Sequence, residues 1–184
     1  MRQYFKVGMT LALICAVAAT ALAFVNHVTK EKIATYEESV VLDAYSEVSA
    51  GFTVGELIVP TDEMVSEYHP LTDSSGNVSG YIVMLNANGY GGEMTIMASY
   101  GIDGEVLGAK LLGNSETPGL GKKAESKTYM EKFVGTGSVG PIPVKKSELS
   151  KADAESIGGA TVTFSGIAKA LAYGSDYVKN LGVK

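Results

Sequence analysis

The sequence predicts an α+β domain, a mostly antiparallel sheet with helices packed on it, carried on one N-terminal transmembrane helix. Three observations predict it. The run Val7 to Val25 holds nineteen residues without a charge, about what a helix needs to cross the hydrocarbon layer. From Phe52 onward the apolar spacing shortens to two or to brief runs separated by turn sequences. Helical spacing then returns over Phe164 to Leu181.

Taking the elements in order, Arg2 and Lys6 precede the uncharged run, and Ala21-Leu22-Ala23 has the form of a signal-peptide cleavage site. The run exceeds the usual signal core, so a retained span is expected. Lys30 and Lys32 nearly balance the charges on the other side, with a small preference for an internal N-terminus. Gly8, Ala12, Ala16 and Ala19 leave room on the span for close helix approach. Ile33, Tyr36, Val40, Val41, Ala44, Tyr45 and Val48 then continue at steps of three and four, so the helix is expected to run on beyond the membrane. The expected divisions are residues 1–6 cytoplasmic, 7–28 transmembrane, 29–50 a helical connector and 51–184 the folded domain.

Strands are expected over Phe52–Val59, Tyr81–Asn86, Glu93–Tyr100 and Glu105–Leu112. His69 before Pro70 is expected to end an extended segment. Asp73-Ser74-Ser75-Gly76-Asn77 and Ile102-Asp103-Gly104-Glu105 are turn sequences, the second a hairpin signal. Lys127 to Val134, closed by Gly135, is expected to be a short helix.

Composition removes several functions. Net charge is −5 with scattered lysines, which offers no basic stripe for nucleic acid. Cys15 is the single cysteine and the two histidines are far apart, so neither a disulfide nor a metal cage is expected. Gly135-Thr136-Gly137-Ser138-Val139-Gly140 matches the dinucleotide-binding letters, but a helix precedes it and Pro141-Ile142-Pro143 follows. It is expected to be a connector. The segment from Asp73 lacks a closing glutamate, since Met84 stands there, and is expected to be a hairpin loop rather than a calcium site. No nucleophile-elbow sequence accompanies His69, which argues against a serine hydrolase.

Two stretches remain, Glu116-Thr117-Pro118-Gly119-Leu120-Gly121 and Ser156-Ile157-Gly158-Gly159-Ala160-Thr161-Val162-Thr163. The first can be a proline-started turn with Gly119 and Gly121 at positive backbone angles. The second can be a helix cap with Thr161 or Thr163 as acceptor. A cap alone gives no reason for Gly-Gly-Ala ahead of it. Free amides and the positive end of a helix dipole also make a phosphate seat.

Gly158 to Thr163 resembles the flavinylation motif of the FMN-binding domain family, Asp-x-x-(Ser/Thr)-Gly-Ala-Thr. Gly89-Tyr90-Gly91-Gly92, Gly101-Ile102-Asp103-Gly104 and the Glu116 to Gly121 stretch occur in the family's order, and with the N-terminal span the likeness covers nearly the whole chain. It is nearest to the G subunits of Rnf ion-translocating ferredoxin:NAD oxidoreductases. The C subunit of the sodium-pumping NADH:quinone oxidoreductase is the alternative. Gly158 replaces the motif's Ser or Thr, Glu155 its Asp, and Asn114 a common histidine.

The resemblance implies a covalent FMN, joined through its phosphate to Thr161 by a separate flavin transferase. Thr163 or Ser165 stays open as an alternative attachment site. Gly158, Gly159 and Ala160 would admit the phosphate, and the amides of Val162 and Thr163 would hold it. Glu116, Thr117, Gly119 and Leu120 would lie at the ring, with Leu120 as an apolar lid and Glu116 bracing either the loop or the ring's polar edge. The implied role is electron transfer within a redox-driven ion pump, beside other membrane subunits and lipid. The domain would lie on the extracytoplasmic face of a bacterial cytoplasmic membrane and turn over no substrate alone. The competing expectation is a non-redox assembly or binding subunit.

Overall fold

A computed structural model describes residues 2–182 of the chain. Helix α1 runs without a break over Arg2–Val48. It is followed by β1 (Thr53–Val54), β2 (Val65–Thr72), β3 (Val78–Asn88), β4 (Glu93–Gly101) and β5 (Val106–Gly113). Helices α2 (Lys127–Met130), α3 (Lys151–Ser156) and α4 (Thr161–Gly182) complete the chain.

The chain divides into two compact units, Met1–Val41 and Leu42–Lys184. In the first, α1 is long and apolar enough to cross a membrane. Its large apolar side chains, Phe5, Leu13 and Phe24 among them, are exposed around the helix, which suits a lipid solvent rather than a protein core.

The second unit is an antiparallel meander in the order β1-β2-β3-β4-β5. Alternation along the strands gives the sheet two apolar faces. Val83, Leu85, Ile96, Ala98 and Tyr100 point to one, where they meet Phe164, Ile167 and Leu171 of α4. Phe133, from the segment after α2, stacks on Phe164 with centroids 5.6 Å apart. Ile82, Met84, Met97 and Ser99 alternate to the other face and are buried as well. There Val48, at the end of α1, lies against Gly108 beside Ser99. Ala44 and Val48 are buried, so the last turns of α1 are part of this core. Tyr45 adds a 2.8 Å hydrogen bond to His69 Nε2.

Side chains close the two expected turns. Asp73 Oδ1 accepts from the amides of Ser75 and Asn77, and Asp103 Oδ1 from that of Glu105. Helix α4 is tied to the sheet by Tyr100 Oη donating to Leu171 O at 3.0 Å and Ser175 Oγ donating to Gly104 O at 2.7 Å.

Several sequence expectations need correction. Phe52–Val59 forms strand only at Thr53–Val54, with one further bridge between Ile58 and Tyr68. Strand β2 lies outside the expected set, because His69-Pro70 suggests an end; Pro70 instead lies inside the strand, opposite Tyr81. Pro70 O accepts from Gly55 N, so the ring nitrogen faces the thin outer side of the sheet and no ladder bond to β3 is lost. The Lys127 to Val134 helix is only Lys127–Met130, with turns continuing to Gly135. Helix α3 is a further addition, although Ser150-Lys151-Ala152-Asp153 carries a capping signature; Ser150 Oγ accepts from Asp153 N at 3.1 Å. Helix α4 starts at Thr161, three residues before the expected Phe164. The glycine-rich 135–140 stretch is a connector, and Gly135 and Thr136 exchange backbone bonds with Val106.

Candidate functional site

At one end of the sheet, the β3–β4 hairpin, the segment leaving β5 and the start of α4 converge. Gly159, at φ +82°, turns the chain into α4, a bend that a side chain opposes. Phe164 N donates to Ala160 O at 3.0 Å, which makes Ala160 the capping position. Alanine has no side-chain acceptor. Neither Thr161 nor Thr163 caps the helix, and among the described residues no side chain accepts from the amides of Thr161, Val162 and Thr163. The positive end of a 22-residue helix therefore opens with three free donors.

The two threonines have opposite fates. Thr163 is buried, and its hydroxyl donates to Glu116 Oε2 at 2.8 Å. Thr161 is exposed, and its hydroxyl has no partner among the described residues. Ser165 follows Thr161 by one turn and Lys169 by two, on the same side of the helix.

Glu116 joins the site together. Its Oε1 accepts from Gly91 N at 3.0 Å, and its own amide donates to Asn114 Oδ1 at 3.0 Å. Asn114 Nδ2 in turn donates to Glu125 at 2.8 Å. These bonds tie Glu116 to the β3–β4 hairpin and to α4. Gly121 is not at a positive φ, contrary to expectation; it is glycine because a Cβ there would collide with the Glu116 carboxylate and meet Thr163 Oγ1 at 2.8 Å. Gly119 does take a positive φ, +78°. The space beside Gly159 is filled by Leu120, whose Cδ2 would lie 2.9 Å from an added Cβ. Gly159 therefore serves the bend and the Leu120 loop.

Two clefts flank Thr161 and Val162. One, of about 560 Å³, is bounded by Tyr90, Glu116, Thr117, Leu120 and Gly121 on one side and by residues 159–163 on the other. The second, of about 740 Å³, lies toward β3 and β4 and takes in Asn88, Glu93, Ser165 and Lys169. Of the residues expected at the site, Glu116, Thr117, Leu120, Gly159, Ala160, Thr161, Val162 and Thr163 all line the first cleft. Gly158 and Gly119 do not; both are exposed in the turns beside it. Tyr90 is an addition to the expected set. It is 77% exposed at the mouth, next to half-exposed Leu120 and Val162. An aromatic between glycines, Gly89-Tyr90-Gly91-Gly92, is the sequence signal that could have indicated it.

Tyr129 lies behind this wall, and its buried hydroxyl has no partner among the described residues. Burial raises its pKa first, and the negative charge of Glu116 adds to the rise.

Comparison with known proteins places this geometry. The FMN-binding domain profile matches residues 89–175, and the RnfG N-terminal region profile matches residues 1–48. The G subunit of an ion-translocating oxidoreductase complex from Methanosarcina acetivorans is 30% identical over 185 residues, covering 96% of this chain and 95% of the relative. The chain belongs to this family of G subunits. A second member is the G subunit of the Na(+)-translocating ferredoxin:NAD(+) oxidoreductase complex of Acetobacterium woodii, 31% identical over 175 residues, 86% of this chain and 84% of that one. The G subunit of the ion-translocating oxidoreductase complex of Shewanella baltica is 28% identical over 192 residues, 95% of this chain and 89% of the relative.

The residues present in this member of the G-subunit family suit FMN. Three unpaired helix-start amides suit a phosphate. The cleft volume lies within the usual range for a ligand of that size, roughly 300–1,000 Å³. Leu120, Val162 and Tyr90 give it apolar surface, and Glu116 and Thr117 give polar edges.

Proposed function

We propose that the protein is the membrane-anchored electron-transfer subunit of an Rnf-type ion-translocating ferredoxin:NAD oxidoreductase, with FMN attached covalently to Thr161. The observation that carries the attachment site is the contrast between the two threonines of Thr161-Val162-Thr163. Only the first presents a free hydroxyl at the rim of both clefts, whereas the second is buried and engaged with Glu116.

Bound FMN supplies the electron-carrying chemistry. The chain supplies an ester oxygen at Thr161, amide donors at Val162 and Thr163 for the phosphate, and an apolar wall at Leu120. Ala160 and Gly159 keep that approach clear of larger side chains, and Gly158 supports it from the turn. Thr117 and Gly119 hold the loop that carries Leu120. A separate flavin transferase installs the cofactor, and other membrane subunits of the complex deliver and remove electrons. The boundaries proposed are residues 7–28 in the membrane, 29–50 as a helical connector whose last turns pack into the domain core, and 51–184 for the FMN-binding part. The FMN-binding part faces the extracytoplasmic side of a bacterial cytoplasmic membrane, and lipid surrounds the span.

Mass spectrometry of protein taken from native membranes tests this reading. The tryptic peptide ending at Lys169 is expected to carry one FMN, localised by fragmentation to Thr161. An unmodified peptide, or FMN on Thr163 or Ser165, would refute the proposed attachment.

A further inference from the structure

We infer that Glu116 is more than a brace: its charge, fixed in the wall of the cleft, lowers the reduction potential of the cofactor held there. This inference rests on FMN occupying the cleft lined by Glu116. The side chain is 4% exposed, and both of its carboxylate oxygens are engaged, with Gly91 N and with Thr163 Oγ1. Among the described residues it makes no ion pair.

A carboxylate so placed is expensive. Burying an ionised group without a cation carries a desolvation cost that hydrogen bonds only partly return. Bracing alone does not require the charge, because a neutral side chain of the same shape could tie the hairpin to α4. The surroundings are nonetheless shaped to this carboxylate. A Cβ on Gly89 would collide with its Oε1, and one on Gly121 with its Oε2. Two segments have given up their side chains to admit it.

Its position explains the benefit. Glu116 is itself shielded from water while lining the cleft, so its charge is screened less than that of a surface carboxylate at the same distance. Full reduction of a flavin takes up two electrons, with at least one proton from solvent, and no bond to Glu116 forms or breaks. The electrons come from a neighbouring redox centre in the complex, or from dithionite in a titration. Each electron not matched by a proton adds negative charge, which the Glu116 carboxylate disfavours. The oxidised cofactor is favoured and the potential falls.

The test is an equilibrium redox titration of the full-length, flavin-loaded protein, followed by flavin absorbance. Glu116→Gln, which keeps the shape and removes the charge, is expected to shift the midpoint to a more positive potential. Glu116→Asp, which keeps the charge, is expected to shift it less. A flavin-loaded Gln variant with the wild-type midpoint would overturn the inference, as would Asp and Gln variants that shift alike. Should Glu116→Gln fail to accumulate, Thr117→Lys brings an opposing cation to the same wall outside the clamp; a positive shift supports the inference and none overturns it. Wild-type protein without flavin would instead overturn the underlying assignment of FMN, a distinguishable outcome.

Discussion

The hydroxyl of Thr163 donates to Glu116 Oε2 at 2.8 Å across 47 positions of sequence. This bond couples the first turn of α4 to the loop after β5, the two stretches singled out by composition alone. It also divides the labour of neighbouring threonines, leaving Thr161 outside the core. Thr161→Ala is expected to give folded protein with no flavin fluorescence after denaturing electrophoresis. Thr163→Ala is expected to retain the fluorescence but to lose about 1–3 kcal/mol of stability, because a buried carboxylate oxygen is left unpaired. Urea unfolding of both variants separates the two effects; fluorescence that follows Thr163 instead would invert the assignment.

Helix α4 packs closely against the end of β3 at Gly166. A Cβ there would collide with the carbonyl oxygen of Asn88, a backbone atom that cannot rotate away. Asn88 and Gly166 both line the second cleft, so the same contact fixes the distance between helix and sheet beside Thr161. Gly166→Ala is expected to destabilise the domain by about 1–3 kcal/mol and to reduce flavin loading, because the helix start must move. A variant as stable and as fully loaded as wild type would show that the helix can shift freely.

What the sequence made legible followed local rules. The Asp73 and Asp103 turns were readable because each needs only a short side chain and its own following amides. The site motifs were readable because glycine and threonine clusters are conspicuous without any knowledge of pairing. What escaped depended on distant partners. Strand β2 looked broken by Pro70, because only the sheet order shows that its nitrogen faces outward. Gly121 looked like a turn glycine, when its lack of a side chain answers to Glu116 and Thr163 in other segments. The early start of α4 was hidden by Thr161-Val162-Thr163, three residues whose β-branching suits strands. Burial of Thr163 against Glu116 outweighs that preference.

The end of α1 belongs to the folded unit that begins at Leu42. Ala44 and Val48 are fully or almost fully buried, while Lys110 Nζ bonds to Glu47 Oε2 at 2.7 Å. A chain starting at Leu42 is expected to fold and remain soluble without detergent. One starting at Phe52 would uncover the Met97 and Ser99 face of the sheet. Loss of Val48 alone removes about 1.5–3 kcal/mol of burial. Thermal unfolding of the two chains checks this, and equal midpoints would show that residues 42–51 contribute nothing to the core.

Asp62 gives a pH test that leaves the cofactor aside. Its Oδ2 accepts from Tyr173 Oη at 2.7 Å, and its Oδ1 accepts from the amides of Met64 and Val65 at 2.8 and 2.9 Å. The turn so formed carries Glu63 and Met64 to the second cleft. The Tyr173 bond holds the Asp62 pKa below its ordinary value; burial opposes it, by more than either of the two amide bonds helps. The Tyr173 pKa is raised, first by the bond to Asp62 and then by burial and by the charge of Asp62. The signs follow from linkage. A lowered carboxylate contributes stability above its unfolded value, near 3.9, that is lost as pH falls through the folded value. A raised phenol contributes stability below its unfolded value, near 10, that is lost as pH rises through the folded value. Tyr173→Phe is therefore expected to lower the melting temperature by a small, constant amount between about pH 5 and 9, with the gap to wild type closing in stronger acid and stronger base. Melting curves recorded across that range decide it. A gap that persists undiminished at about pH 2, below the ordinary carboxylate range, would mean that Tyr173 stabilises the domain by packing rather than through Asp62.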